Sequence, residues 1–202
     1  MKKIIMLMVG LLMGSLVQAA PVFKEGVNYE VVKQSPSAKP EVLEFFSYFC
    51  PHCYQFEPIM TDVKKGLPQG VEFKRNPVAF LGREMGPELQ RAYAVAVLLG
   101  VEEKFSAETF KRAQVERNPP KDRAEVKALF ESIGVAAAEF DGAIDSFAVT
   151  GLVSQYDHNT EGFNIRGVPS TLVNGKYLIK TESLKSADEF KALIQFLLAQ
   201  KG

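Results

Sequence analysis

The 202-residue sequence predicts an α/β domain interrupted by a large all-helical insertion. Three observations lead there. A dense apolar run at residues 41–49 (EVLEFFSYF) has the character of a buried central strand, and it passes into a helix-compatible segment and then a further strand. Between residues 84 and 161 the pattern changes to apolar residues every three to four positions. Then Asn174-Gly175 joins two short apolar runs, the strongest two-residue signal for a hairpin.

In chain order, residues 22–32 read as a short first strand and residues 35–40 (SPSAKP) as a turn-rich connector. After the strand at 41–49, a helix is expected from Pro51, whose fixed φ suits a first turn, with apolar positions at Tyr54, Phe56, Ile59 and Val63. Pro58 lies inside that pattern and is expected to kink it. The run GLPQG at 66–70 ends the helix, and residues 71–78 return as a strand. Residues 88–99, 104–115, 123–133 and 136–147 each read as a helix, punctuated by Asn118-Pro119-Pro120, Gly134 and Gly151. Residues 168–173 and 176–179 form the hairpin, and 187–199 closes the chain as an amphipathic helix. The strands flanking the first helix should run parallel through a right-handed crossover, and the hairpin should add antiparallel strands. Without the helical block this is the thioredoxin pattern. The fold class is therefore α/β, a thioredoxin-like fold with a large all-helical insertion. Residues 20–83 and 149–202 are assigned to the thioredoxin-like domain and 84–148 to the inserted helical domain.

Residues 1–19 read as a signal peptide. Lys2 and Lys3 supply a positive start, residues 4–16 are apolar, and Val17-Gln18-Ala19 offers a cleavage site. The apolar run is short for a bilayer span, although a signal-anchor is the alternative. Cleavage after Ala19 leaves 183 residues, with 22 basic against 24 acidic side chains. That balance gives no electrostatic argument for nucleic acid or an anionic membrane surface.

The chain holds only two cysteines, Cys50 and Cys53, in the run Cys50-Pro51-His52-Cys53. A disulfide closing so small a loop stabilises by roughly 2 kcal/mol, against roughly 5 for a loop of 100 residues. A structural staple would not be placed there, so the pair reads as chemical. At a helix start the first cysteine faces unpaired backbone N–H groups and the positive end of the helix dipole, which favour its thiolate. Zinc sites use the same spacing, but they need further ligands, and only His52 and His158 are available. No metal is assigned, and His158 reads as a surface residue.

The stretch Leu43-Glu44-Phe45-Phe46-Ser47-Tyr48-Phe49-Cys50-Pro51-His52-Cys53-Tyr54-Gln55-Phe56 resembles the active-site segment of the DsbA family of disulfide-bond oxidoreductases. Arg166-Gly167-Val168-Pro169, followed by Val173-Asn174-Gly175-Lys176-Tyr177, is similar to that family's second signature. The likeness runs through the whole mature chain. It implies that Cys50 is the exposed, attacked sulfur and Cys53 its buried resolving partner. His52 would stabilise the Cys50 thiolate, unless it is merely a histidine at a helix start; Pro51 fits the helix start on structural grounds alone. Pro169 would be a cis-proline facing the disulfide, the alternative being a trans proline opening a strand, and Val168 would offer backbone groups to an extended substrate. Glu44 would be the buried acid beneath the disulfide, the alternative being a strand glutamate reaching solvent. The family's basic neighbour of that acid corresponds to Arg75 here, an arginine in place of lysine.

The resemblance further implies a periplasmic oxidase that passes its disulfide to unfolded exported proteins with free thiols and is reoxidised by a quinone-linked membrane partner of the DsbB kind. The Cys50–Cys53 disulfide is the redox group, with no other cofactor, and the chain is expected to act as a monomer. Two other functions stay open at this point: a periplasmic reductase or isomerase on the same fold, and a non-catalytic peptide-binding module.

Overall fold

The computed structural model describes residues 22–33 and 35–200. The expected signal peptide, residues 1–19, lies outside the described residues. The chain runs β1 (Tyr29–Val31), β2 (Glu41–Phe46), α1 (Pro51–Gly66), β3 (Glu72–Pro77), then five helices, α2 (Met85–Leu98), α3 (Glu102–Phe110), α4 (Arg123–Ser132), α5 (Ala137–Ile144) and α6 (Phe147–Gly162), and closes with β4 (Ser170–Val173), β5 (Tyr177–Ile179) and α7 (Ala187–Leu198). The five strands form one sheet in the order β1-β5-β4-β2-β3. β2 and β3 are parallel, with Glu44 opposite Arg75, while β4 runs antiparallel to both β2 and β5.

β2 lies inside the sheet, and its residues from Val42 to Phe46 are all buried. Alternation splits them between two cores. Val42 packs with Met60 and Val63 of α1 and with Phe190, Leu193 and Leu197 of α7. Leu43 and Phe45 face the other way, against Val78, Ile165 and Leu172. Phe46, at the strand's end, joins a third cluster built from the helices, including Tyr93, Phe105, Phe110 and Phe130. The active segment therefore leaves the sheet where sheet and helical cores meet.

The Asn174-Gly175 turn forms as expected, both residues at positive φ (+53° and +60°), which matches the twist of the flanking strands. α1 carries Pro58 through as one continuous helix. Two expectations need correction. The first strand is only Tyr29–Val31, because Gly26 at φ +77° turns the chain and Asn28 N donates back to Lys24 O at 2.9 Å. The helical block holds a fifth long helix, α6, where Gly151 was expected to interrupt. Ser146 caps it, its hydroxyl accepting Val149 N at 3.2 Å, and the helix runs through Gly151. α6 packs along α2 and against β3, so the expected boundary between residues 148 and 149 falls inside a helix that touches both parts. A buried polar knot fixes that contact: Asn76 of β3 donates to Tyr156 O and Thr160 Oγ1, and accepts Asn159 Nδ2.

Candidate active site

β2 ends in a tight turn, Cys50 N donating to Ser47 O at 3.1 Å, and Cys50 becomes the N-cap of α1 with extended backbone angles (φ −98°, ψ 111°). Its side chain takes the role usually given to serine or aspartate: Sγ accepts the Cys53 N–H at 3.2 Å. Pro51 fills the first helical position, where a missing N–H costs nothing. Both sulfurs are free thiols in this structure. Cys53 is fully buried, and Cys50 is 6% exposed. The expectation of an exposed Cys50 is corrected to this extent: it is the more accessible of the two, yet capping the helix draws its sulfur inward. From the other side Cys50 Sγ reaches Val168 O at 3.3 Å, across a Val168–Pro169 peptide that is cis. Residues far apart in sequence thus meet at one sulfur.

The environment pushes the two thiols apart in acidity. Cys50 is lowered to about 6, first by the hydrogen bond from the Cys53 side chain; burial opposes this, and the backbone N–H groups of Cys53 and His52 and the charge of His52 add to it. Cys53 is raised far above the ordinary thiol range, because it donates to Cys50 and is buried. Sulfur that will carry charge and sulfur that will hold a proton are thereby distinguished. His52 itself is exposed on the first turn of α1.

Glu44 is fully buried, on β2. One carboxylate oxygen accepts Arg75 Nε at 2.7 Å, and the other has no hydrogen-bond partner. Burial raises its pKa, Arg75 opposes, and Glu57 adds to the rise. Arg75 also forms an ion pair with Glu57 of α1 and lies 4.0 Å from the centroid of the Phe46 ring. Glu57 was not singled out from the sequence; its signal was its place four residues after Cys53, on the same face of α1. A cleft of about 570 Å³, lined by Glu57, Lys64, Arg75 and Tyr93 among others, opens beside this group. His158 is exposed on α6. Among the described residues no three His, Cys, Asp or Glu side chains come together as a metal-ligand set.

Known proteins share this arrangement of sequence and fold. The DSBA-like thioredoxin domain family matches residues 41–195. The thiol:disulfide interchange protein DsbA of Pectobacterium carotovorum is 38% identical over the full length of both chains. That of Escherichia coli K12 is 36% identical, over 93% of this chain and 91% of the relative. A solved structure of a cysteine-to-serine variant of Proteus mirabilis DsbA, in complex with a non-covalently bound peptide, superposes with a TM-score of 0.83 at 34% identity, covering 89% of this chain and all of the other. On sequence, fold and length alike, this chain belongs to the DSBA-like thioredoxin domain family.

Proposed function

We propose that this thiol:disulfide oxidoreductase works in the oxidising direction, donating the Cys50–Cys53 disulfide to exported proteins as they fold. The observation that carries the direction is the opposed acidity of the two thiols at the start of α1. A substrate thiolate attacks Cys50 Sγ; the Cys50–Cys53 bond breaks, and its electron pair passes to Cys53 Sγ, which takes up a proton. A second substrate thiolate then attacks the substrate sulfur of the mixed disulfide, and Cys50 leaves as a thiolate. Two substrate thiols become one disulfide, and the enzyme is left as the dithiol. A low-pKa thiol leaves faster, so the acidity of Cys50 speeds the releasing step.

Within this reading Cys50 and Cys53 are the catalytic residues, Pro51 and His52 tune the pair, and Glu44 exchanges the proton that Cys53 gains and loses. Val168 and Pro169 form the edge along which an extended substrate lies; the peptide bound to the Proteus relative supports such a groove. The redox equivalent is the disulfide itself, with no further cofactor. The enzyme acts in the periplasm as a monomer and is reoxidised by a quinone-linked membrane partner. Equilibration with glutathione tests the direction: the expected potential lies well above that of thioredoxin, and a value near about −270 mV would identify a reductase instead. A dithiol-peptide oxidation assay, with Cys50→Ser as the inactive control, separates catalysis from peptide binding alone.

A further inference from the structure

The Tyr48–Phe49 peptide group, one before the peptide that enters Cys50, is held by side chains instead of by backbone. Among the described residues no backbone N–H reaches the Tyr48 carbonyl; it accepts Gln114 Nε2 at 2.7 Å. At the other end of the same peptide group, Phe49 N donates to Ser47 Oγ at 3.2 Å. Gln114 comes from the segment Lys111–Val115, where the helix widens after α3. Glu116 N bonds to Lys111 O at 3.0 Å and Asn118 N to Arg112 O at 2.8 Å, five and six residues back in place of four. Widened turns of this kind re-aim side chains and are common at functional sites. The same helical elements grip the rest of Tyr48: its hydroxyl meets Ser106 Oγ at 2.9 Å, and its ring packs edge-on against Phe105 and Phe110.

We infer that Gln114 is a positioning residue for the redox reaction, fixing the Tyr48–Phe49 peptide so that Cys50 keeps the backbone angles at which its sulfur accepts the Cys53 N–H. The inference rests on the oxidoreductase reading of the pair. In the disulfide form the covalent bond to Cys53 fixes Cys50 Sγ whatever the preceding peptide does. In the dithiol form no covalent bond does this, and the backbone angles of Cys50, with the hydrogen bond from its sulfur to Val168 O, hold the sulfur against that N–H. Loss of the Gln114 bond therefore costs the reduced form selectively, and the helical insertion takes a direct part in setting the oxidising power of the site.

Gln114→Met keeps the side chain's length and removes the donor, while Gln114→Glu sets an acceptor against the Tyr48 carbonyl. Both are equilibrated with glutathione and unfolded with urea in each redox state, and the Tyr48 carbonyl ¹³C shift reports whether the bond is gone. The equilibrium preference for the reduced form should fall about fivefold in Gln114→Met, the worth of one hydrogen bond, and further in Gln114→Glu. The reduced form should lose stability while the oxidised form keeps it. Equal losses in the two redox forms, with the glutathione equilibrium unmoved, would overturn the inference and leave Gln114 a structural contact only. Should Gln114→Met not fold, Gln114→Asn, whose amide falls one methylene short, carries the same expectation. Failure of the oxidoreductase reading would show separately, in the potential of the unsubstituted protein.

Discussion

Reducing the Cys50–Cys53 pair creates an acid that the disulfide form lacks, and the site lowers that acid to about 6. An unfolded cysteine titrates at about 8.5, so the thiolate stabilises the reduced fold by up to about 3 kcal/mol. Because the folded pKa is the depressed one, this stabilisation is complete only above the unfolded value and disappears as pH falls through the folded one. It amounts to about 2–3 kcal/mol at pH 8, about 1 at pH 7 and almost nothing at pH 5. Cys50 is 6% exposed, and such water as reaches its sulfur makes these figures upper bounds. The disulfide's constraint on the unfolded chain opposes it by roughly 2 kcal/mol, independent of pH. The two forms should therefore be equally stable between about pH 7 and pH 8, the disulfide form ahead on the acid side. Above about pH 8.5 unfolded Cys53 ionises while folded Cys53 keeps its proton, and the reduced form loses part of its gain. Urea unfolding of both forms at pH 5, 6, 7 and 8 measures this directly. The gap should move toward the reduced form by about 2–3 kcal/mol between pH 5 and pH 8. A gap constant to within about 0.5 kcal/mol would refute the argument that thiolate stabilisation drives the oxidising chemistry.

Cys53→Ala should raise the Cys50 pKa more than His52→Ser does, since the Cys53 thiol is the largest cause of the lowering and the His52 charge the smallest; thiolate absorbance against pH ranks the two. The same Cys53→Ala protein should accumulate mixed disulfides through Cys50, visible as high-mass bands on non-reducing gels, and a clean lane would count against Cys50 as the exchanging sulfur. Arg75→Met leaves the buried Glu44 without its counter-charge and should cost about 3–5 kcal/mol at neutral pH. With the folded Glu44 pKa raised further above its unfolded value, that deficit should shrink on acidification toward pH 4.5, and urea midpoints that fall equally at both pH values would contradict it. Gly82→Ala combines φ +87° with a new Cβ 2.1 Å from the Phe49 ring; it should cost at least about 1–2 kcal/mol from the backbone alone, and an unchanged urea midpoint would show that the ring and chain yield freely.

The parts of this molecule that could be read from the sequence are those whose cause is local. The strand at Glu41–Phe46 declares itself by continuous apolar character, α1 by Pro51 and the residues after it, and the hairpin by Asn174-Gly175. α6 escaped because only Val149 and Tyr156 are buried on its sixteen residues and because Gly151 looks like a stop. Its helicity comes from the Ser146 cap and from packing on α2, and neither gives an apolar stripe. The pairing of Glu44 with Arg75 depends on the β2–β3 register, and that of Arg75 with Glu57 on how α1 turns over the sheet. Gln114 was hidden for a stronger reason: its target is a carbonyl 66 residues away, and carbonyls leave no trace in residue identity. The depth of Cys50 was misjudged because a cysteine acting as a helix cap behaves like a small polar side chain and not like a projecting nucleophile.

The sulfur of Cys50 and the carbonyl of Val168 are 118 residues apart along the chain, and the β2–β4 pairing spans nearly the same distance. Pairings so distant form late, since a long loop must close before they repay its entropy. A chain emerging from its N-terminus presents both cysteines while the strand that will shelter them is still unmade. During that interval they are ordinary thiols, open to oxidation by any donor nearby. Only when that strand pairs does the Val168 carbonyl reach the Cys50 sulfur.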